Sequence, residues 1–173
     1  MGLRVDLAVG DFDSVSQVGL AAVRAAGGVL QAHPPDKDTT DLELALDAAL
    51  GLGARRVLVL GGGGGRLDHL LASALVLTRP AYAGLQVDAV LGGARVAVVR
   101  GRRALTGRAG DLVTLLPLGG VARGVRTEGL RYPLAGEDLE PGSTRGVSNL
   151  LLAATATVSL GAGVLLAVQP VGD

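Results

Sequence analysis

Helical periodicity runs out near Val87, and that break limits the possible folds more than any other feature of the chain. Before it, short apolar runs at Val5 to Val9, Val29-Leu30 and Val57 to Leu60 alternate with amphipathic segments. Strands alternating with helices are the signature of a parallel sheet with crossover helices. After the break come β-prone runs divided by Gly and Pro, at Arg95 to Val99, Leu112 to Leu116 and Val121 to Thr127. The alternating Thr155 to Leu160, the turn Gly161-Ala162-Gly163 and the apolar Val164 to Val168 then read as a terminal hairpin. The expected fold class is α/β: a parallel-sheet α/β N-terminal lobe over residues 1–91, then an all-β, sandwich-like C-terminal lobe over residues 92–173.

Three helices are legible in the first half. Ser14 and Gln17 have capping-box spacing and predict a helix through about Ala26, with Val15, Val18 and Ala22 on one face. Thr40 and Glu43 form a second capping box, before Leu42, Ala45, Leu46, Ala49 and Leu50 at helical spacing. A third stripe, Leu67, Leu70, Leu71, Ala74 and Leu75, follows a predicted buried strand and the glycine run Gly61 to Gly65.

Composition removes several classes of function. Formal net charge is zero, with one Phe and two Tyr, so neither a phosphate-binding basic stripe nor stacking aromatics point to nucleic acid. The absence of Cys excludes disulfides and thiolate chemistry and fits a reducing cytoplasm, the expected location. Gly146 to Gly172 is uncharged and long enough to suggest a membrane span, but its period of two and internal turn argue for strands, so no membrane partner is expected.

Five of the twelve aspartates lie between positions 11 and 41. Asp11 and Asp13 follow the first strand; Asp36, Asp38 and Asp41 follow the second. In an open α/β sheet both loops emerge at the carboxyl edge, where ligands bind. Turn propensity and helix N-termini account for any one of these residues. Jointly they suggest a cation, and Mg²⁺ prefers a few carboxylates with waters and phosphate oxygens. Lys37, the only lysine, stands between Asp36 and Asp38, placed either to neutralise them or to reach a phosphate. The glycine run offers backbone N–H groups at a helix start, but lacks the Lys-Ser/Thr of a P-loop and the third glycine of the dinucleotide fingerprint. Arg66, Asp68 and His69 come directly after it, Arg66 supplying a planar donor pair for phosphate.

GDFDS at Gly10 to Ser14, DKDTTD at Asp36 to Asp41, and GGRLDH at Gly64 to His69 resemble three signature blocks of the thiamine pyrophosphokinase family, in order and approximate spacing. GLRYPL at Gly129 to Leu134 and GVSN at Gly146 to Asn149 resemble that family's β-domain signature, so the likeness spans the chain. The resemblance implies an enzyme that moves pyrophosphate from ATP to the hydroxyl of thiamine. It implies Mg²⁺ on Asp11, Asp13 and Asp41, and ATP on Lys37, Thr40, Gly64, Gly65, Arg66, Asp68 and His69. Ser148 and Asn149 would lie near thiamine, Asp13 or Asp38 would accept the hydroxyl proton, and two copies would pair with active sites at the subunit interface. On the same resemblance residues 1–91 carry ATP and Mg²⁺ and residues 92–173 carry thiamine.

Family members usually open with a further strand and an Ala-Asp-Gly-Gly segment, whereas Met1 precedes Gly10 by nine residues, so the first strand and helix are expected to be lacking. Leu150 stands where an acidic residue is common in the family, and Ser73 where Asn is common. Two alternatives therefore remain: a catalytically weak or inactive thiamine- or nucleotide-binding homologue, or another Mg²⁺-dependent phosphotransferase or phosphatase using Asp11 and Asp13. The second leaves GLRYPL and GVSN unexplained.

Overall fold

The computed structural model describes residues 4–61 and 65–170. Its contacts divide into two compact units, Met1–Ala54 and Arg55–Asp173.

In the first unit, β1 (Leu7–Gly10) pairs in parallel with β2 (Val29–Ala32), Gly10 standing opposite Ala32. Between them runs α1 (Gln17–Ala25), and α2 (Asp41–Gly51) follows β2. α2 packs on β1 and α1 on β2. α2 starts where its capping box predicts, with the Glu43 N–H donating to Thr40 Oγ1 at 3.3 Å. α1 does not. Its cap is Ser16, which accepts the Gly19 N–H at 3.1 Å. The two-residue delay follows from Phe12, at φ 62°, and from the Val15 N–H donating to the Phe12 carbonyl, which prolong the turn after β1. Leu20 is the buried residue of α1, while Val18, expected on its apolar face, is 80% exposed.

The second unit opens with β3 (Arg56–Gly61) and α3 (Leu67–Leu77), then a 3-10 turn at Pro80–Tyr82 whose Tyr82 is fully buried. β3 pairs in parallel with β4 (Gln86–Leu91), which pairs antiparallel with β5 (Ala94–Val99). Parallel pairing therefore occurs as expected, but the two parallel pairs belong to different sheets. Residue 91 lies at the end of a hairpin arm: Gly92 and Gly93, at φ 55° and 79°, have the positive values that a two-residue hairpin turn requires, and Leu91 pairs with Ala94 across them. β3, expected to be buried, is an edge strand whose Leu58 and Leu60 are exposed. Leu67, Leu71 and Leu75 of the predicted α3 stripe are likewise exposed, and Leu77 is the helix's buried residue.

The remaining strands are β6 (Arg102–Thr106), β7 (Leu112–Pro117), β8 (Ala122–Glu128), β9 (Ala135–Leu139), β10 (Asn149–Leu150), β11 (Thr155–Ser159) and β12 (Leu165–Pro170). They complete a six-stranded sheet, β10-β7-β12-β5-β4-β3, and form a four-stranded sheet, β6-β11-β8-β9. One apolar cluster draws Val99, Val113, Leu115 and Leu165 from the first and Leu105, Val125, Leu139 and Val158 from the second. The expected terminal hairpin is not formed, because β11 pairs with β6 and β8 while β12 pairs with β5 and β7. The cause lies in the connecting turn. The Gly161 N–H donates to the Arg123 carbonyl at 2.8 Å and the Arg123 N–H to the Ala162 carbonyl at 2.9 Å, so the turn is held by the start of β8 and passes the chain to the other sheet. Among the described residues no helix is long and apolar enough to cross a membrane.

Candidate functional site

The acidic loops of the first unit meet at one cation. Asp11 follows directly on β1, Lys37 lies in the connection from β2 to α2, and Asp41 is the first residue of α2. The Lys37 ammonium stands 2.9 Å from Asp11 Oδ2 and 3.0 Å from Asp41 Oδ1. Both partners of the Asp11 pair are largely shielded, the lysine side chain 13% and the aspartate 18% exposed, whereas Asp41 is 54% exposed. The hydrogen bond from Lys37, then one from the Asp13 N–H, hold the Asp11 carboxyl below the usual aspartate value. Asp11 and, next, Asp41 raise the Lys37 ammonium above its own usual value.

Backbone geometry fixes this corner. Asp11 Oδ1 accepts the Asp13 N–H at 3.2 Å, closing a small turn around Phe12. Gly10 has φ 147°, and a Cβ there would sit 3.0 Å from the Asp41 carboxyl carbon, so glycine brings β1 close under the head of α2. Asp13, Asp36 and Asp38 are exposed, and the Thr40 hydroxyl is engaged in the α2 cap. Among the described residues, no group of three acidic or histidine side chains forms a ready metal cage. Two carboxylates already converging on one cation nevertheless match the donor set Mg²⁺ accepts from proteins, since that ion takes its remaining ligands from water and phosphate.

The second unit holds the other predicted residues in two places. Arg66 precedes α3, and Asp68 lies in the helix's first turn. Arg66 grips Asp68 through two donors, Nε to Oδ1 at 3.2 Å and Nη2 to Oδ2 at 2.5 Å, which holds the Asp68 carboxyl down to about 2. The guanidinium thus already engages a fork of two oxygens, the pattern a phosphate offers. His69 is exposed, and its carbonyl accepts the Ser73 hydroxyl at 2.7 Å. Gly65 is exposed at φ 72°, while Gly64 lies outside the described residues.

Ser148 ends the turn before β10 and Asn149 is the first residue of that strand, but the two present different things. Ser148 is exposed in the left-handed region, φ 57°, with its N–H donating to Thr114 Oγ1 at 3.1 Å. Asn149 is buried at 4% exposure and committed to its neighbours: Oδ1 accepts the N–H groups of Tyr132 and Leu150, each at 2.9 Å, and Nδ2 donates to the Tyr132 carbonyl at 2.7 Å. Its side chain holds the Tyr132 backbone. Tyr132 is 51% exposed, with the Arg131 guanidinium 5.7 Å from its ring centre. Tyr132 is absent from the residues expected at the site, although two sequence signals marked it: it is one of only three aromatic residues and lies inside the GLRYPL block.

Residues 1–88 match the family model "Thiamin pyrophosphokinase, catalytic domain", and residues 102–165 match "Thiamin pyrophosphokinase, vitamin B1 binding domain". Thiamine pyrophosphokinase of Bacillus subtilis is 26% identical, the alignment covering 94% of this chain and 77% of that protein. A crystal structure of the B. subtilis enzyme superposes with a TM-score of 0.81 at 25% identity, over 99% of this chain and 81% of that one. The crystal structure of thiamin pyrophosphokinase from Geobacillus thermodenitrificans gives 0.77 at 28% identity, over 97% and 78%.

Proposed function

The chain belongs to the thiamin pyrophosphokinase family, and on that premise we propose that it transfers the pyrophosphoryl group of ATP to the hydroxyl of thiamine, yielding thiamine diphosphate and AMP. The observation that carries this reading is the convergence of Asp11 and Asp41 on a single cation at 2.9 and 3.0 Å. Carboxylates poised in this way suit an ion that arrives with a polyphosphate.

Asp11, Asp13 and Asp41 would hold Mg²⁺. When bound there, the ion offsets charge on the triphosphate. Arg66 would address phosphate oxygens with the two-donor fork it now gives Asp68, while Asp68 and His69 line the same helix start. Gly64 and Gly65 would offer backbone N–H groups, Lys37 an ammonium, and Thr40 fixes the head of α2. Phosphoryl transfer needs positioning and charge offset more than covalent chemistry, and these groups supply both. Asp13 and Asp38 are the exposed carboxylates suited to take the proton from the attacking hydroxyl. At the thiamine end, Ser148 is the exposed polar contact, and Asn149 acts through the Tyr132 backbone it holds.

We assign ATP and Mg²⁺ to residues 1–91 and thiamine to residues 92–173, and read the active unit as a homodimer with its sites at the subunit interface. The absence of Cys supports a cytoplasmic location.

The test is to incubate the purified protein with Mg²⁺ and ATP, with and without thiamine, and follow AMP and thiamine diphosphate together. Equal yields of the two products, dependent on thiamine, are expected. ADP release with no thiamine diphosphate would reject the reading in favour of a different phosphotransferase or phosphatase.

A further inference from the structure

Lys37 ties together three separate segments: the end of β1 through Asp11, its own connection between β2 and α2, and the head of α2 through Asp41. Two carboxylates this close repel each other unless a positive charge lies between them. The chain's only lysine fills that place and is 13% exposed, so the ion pair is shielded from water on one side. An ammonium is a compact charge on a flexible four-carbon stem, able to leave without disturbing the backbone. A divalent cation held between the same two carboxylates would compete with it for their charge.

We propose that Lys37 is a built-in counter-cation that closes the Asp11–Asp41 pair against free divalent metal and is exchanged out when the metal arrives with a polyphosphate, whose oxygens then receive the displaced ammonium. The proposal rests on the reading that Asp11 and Asp41 hold Mg²⁺. Lys37 thereby positions the two carboxylates before the metal arrives and couples metal binding to nucleotide binding. Metal alone must compete with the ammonium at no return, whereas metal with ATP gives the ammonium a new anion.

The probe is Mn²⁺, titrated into the full chain and followed by the electron paramagnetic resonance of the free ion, with a thermal melt of the metal-free protein alongside. Lys37→Gln is expected to bind Mn²⁺ without nucleotide about tenfold more tightly than the unaltered chain, a difference of about 1.4 kcal/mol. Its metal-free midpoint should be lower and should recover on adding Mn²⁺. With ATP present the affinity gap should close or reverse. Lys37→Arg, which keeps the charge, should bind Mn²⁺ alone no more tightly than the unaltered chain, and serves if the glutamine variant does not fold. If Lys37→Gln binds Mn²⁺ equally or more weakly while Asp11→Asn abolishes binding, the counter-cation role is wrong and the metal site stands. If Asp11→Asn also leaves Mn²⁺ binding unchanged, both fall.

Discussion

Replacing Asn149 with alanine separates a residue that touches thiamine from one that holds the loop beside it. The side chain is 4% exposed and makes three hydrogen bonds, at 2.9, 2.9 and 2.7 Å, to the Tyr132 N–H, the Leu150 N–H and the Tyr132 carbonyl. Each such bond contributes about 1 kcal/mol net, and the freed groups near Tyr132 are partly reachable by water, so the loss should be about 3 kcal/mol. For a chain of this size that lowers the thermal midpoint by roughly 6–12 °C. Circular dichroism melts measure it, with the KM for thiamine taken well below the new midpoint. Ser148→Ala is the control: the Ser148 bond to Thr114 uses the backbone N–H, which alanine keeps, so its midpoint should hold while the thiamine KM rises. An Asn149→Ala protein that melts with the unaltered chain, yet loses thiamine affinity, would refute the structural role and make Asn149 a direct ligand contact.

Asp11→Asn removes charge at constant volume from the metal pair and should cut turnover by about a hundredfold or more in a steady-state assay at saturating Mg²⁺; near-normal turnover would reject the metal assignment. Arg66→Lys keeps the charge but cannot reproduce the two-donor fork, so the KM for ATP should rise about tenfold; unchanged ATP kinetics would reduce the glycine loop to a turn. Asp68 carries the one acid-side signature with a defined window. Its carboxyl is depressed from 3.8 to about 2, so its pairing with Arg66 stabilises the fold above pH 3.8 and that contribution disappears as pH falls towards 2. Asp68→Asn should flatten this part of the stability profile in urea titrations taken across that range, and an unchanged slope would count against the pair.

Local signals were legible where neighbours in sequence decide the outcome. The Thr40 cap depends on Glu43 three residues on, and it appears as read. The placement of aspartates at strand ends likewise carried Asp11 and Asp41 to one corner, because strand and helix termini are set by short-range pattern. Ser14 failed as a cap because its competitor Ser16 won once Phe12 adopted a positive φ, a turn detail that periodicity does not encode. Alternation in Thr155 to Ser159 and the apolar run after it did identify strands, but period two says which face is inward and nothing of which strand lies alongside. Partner choice rested on Arg123 holding the Gly161-Ala162-Gly163 turn, some forty residues away in sequence. Nor did residue type distinguish Ser148 from Asn149. One is exposed and one is spent on Tyr132, a difference made by burial alone.

A two-phosphoryl unit should move intact from ATP to thiamine on the site built around Asp11 and Asp41. ATP labelled with ³²P in the β position tests it directly, with products separated by chromatography after incubation with Mg²⁺, thiamine and either the unaltered chain or Asp11→Asn. The β label is expected in thiamine diphosphate, with unlabelled AMP in equal amount, and about a hundredfold less of either product from Asp11→Asn. A β label retained in ADP, with thiamine monophosphate as the other product, would contradict it.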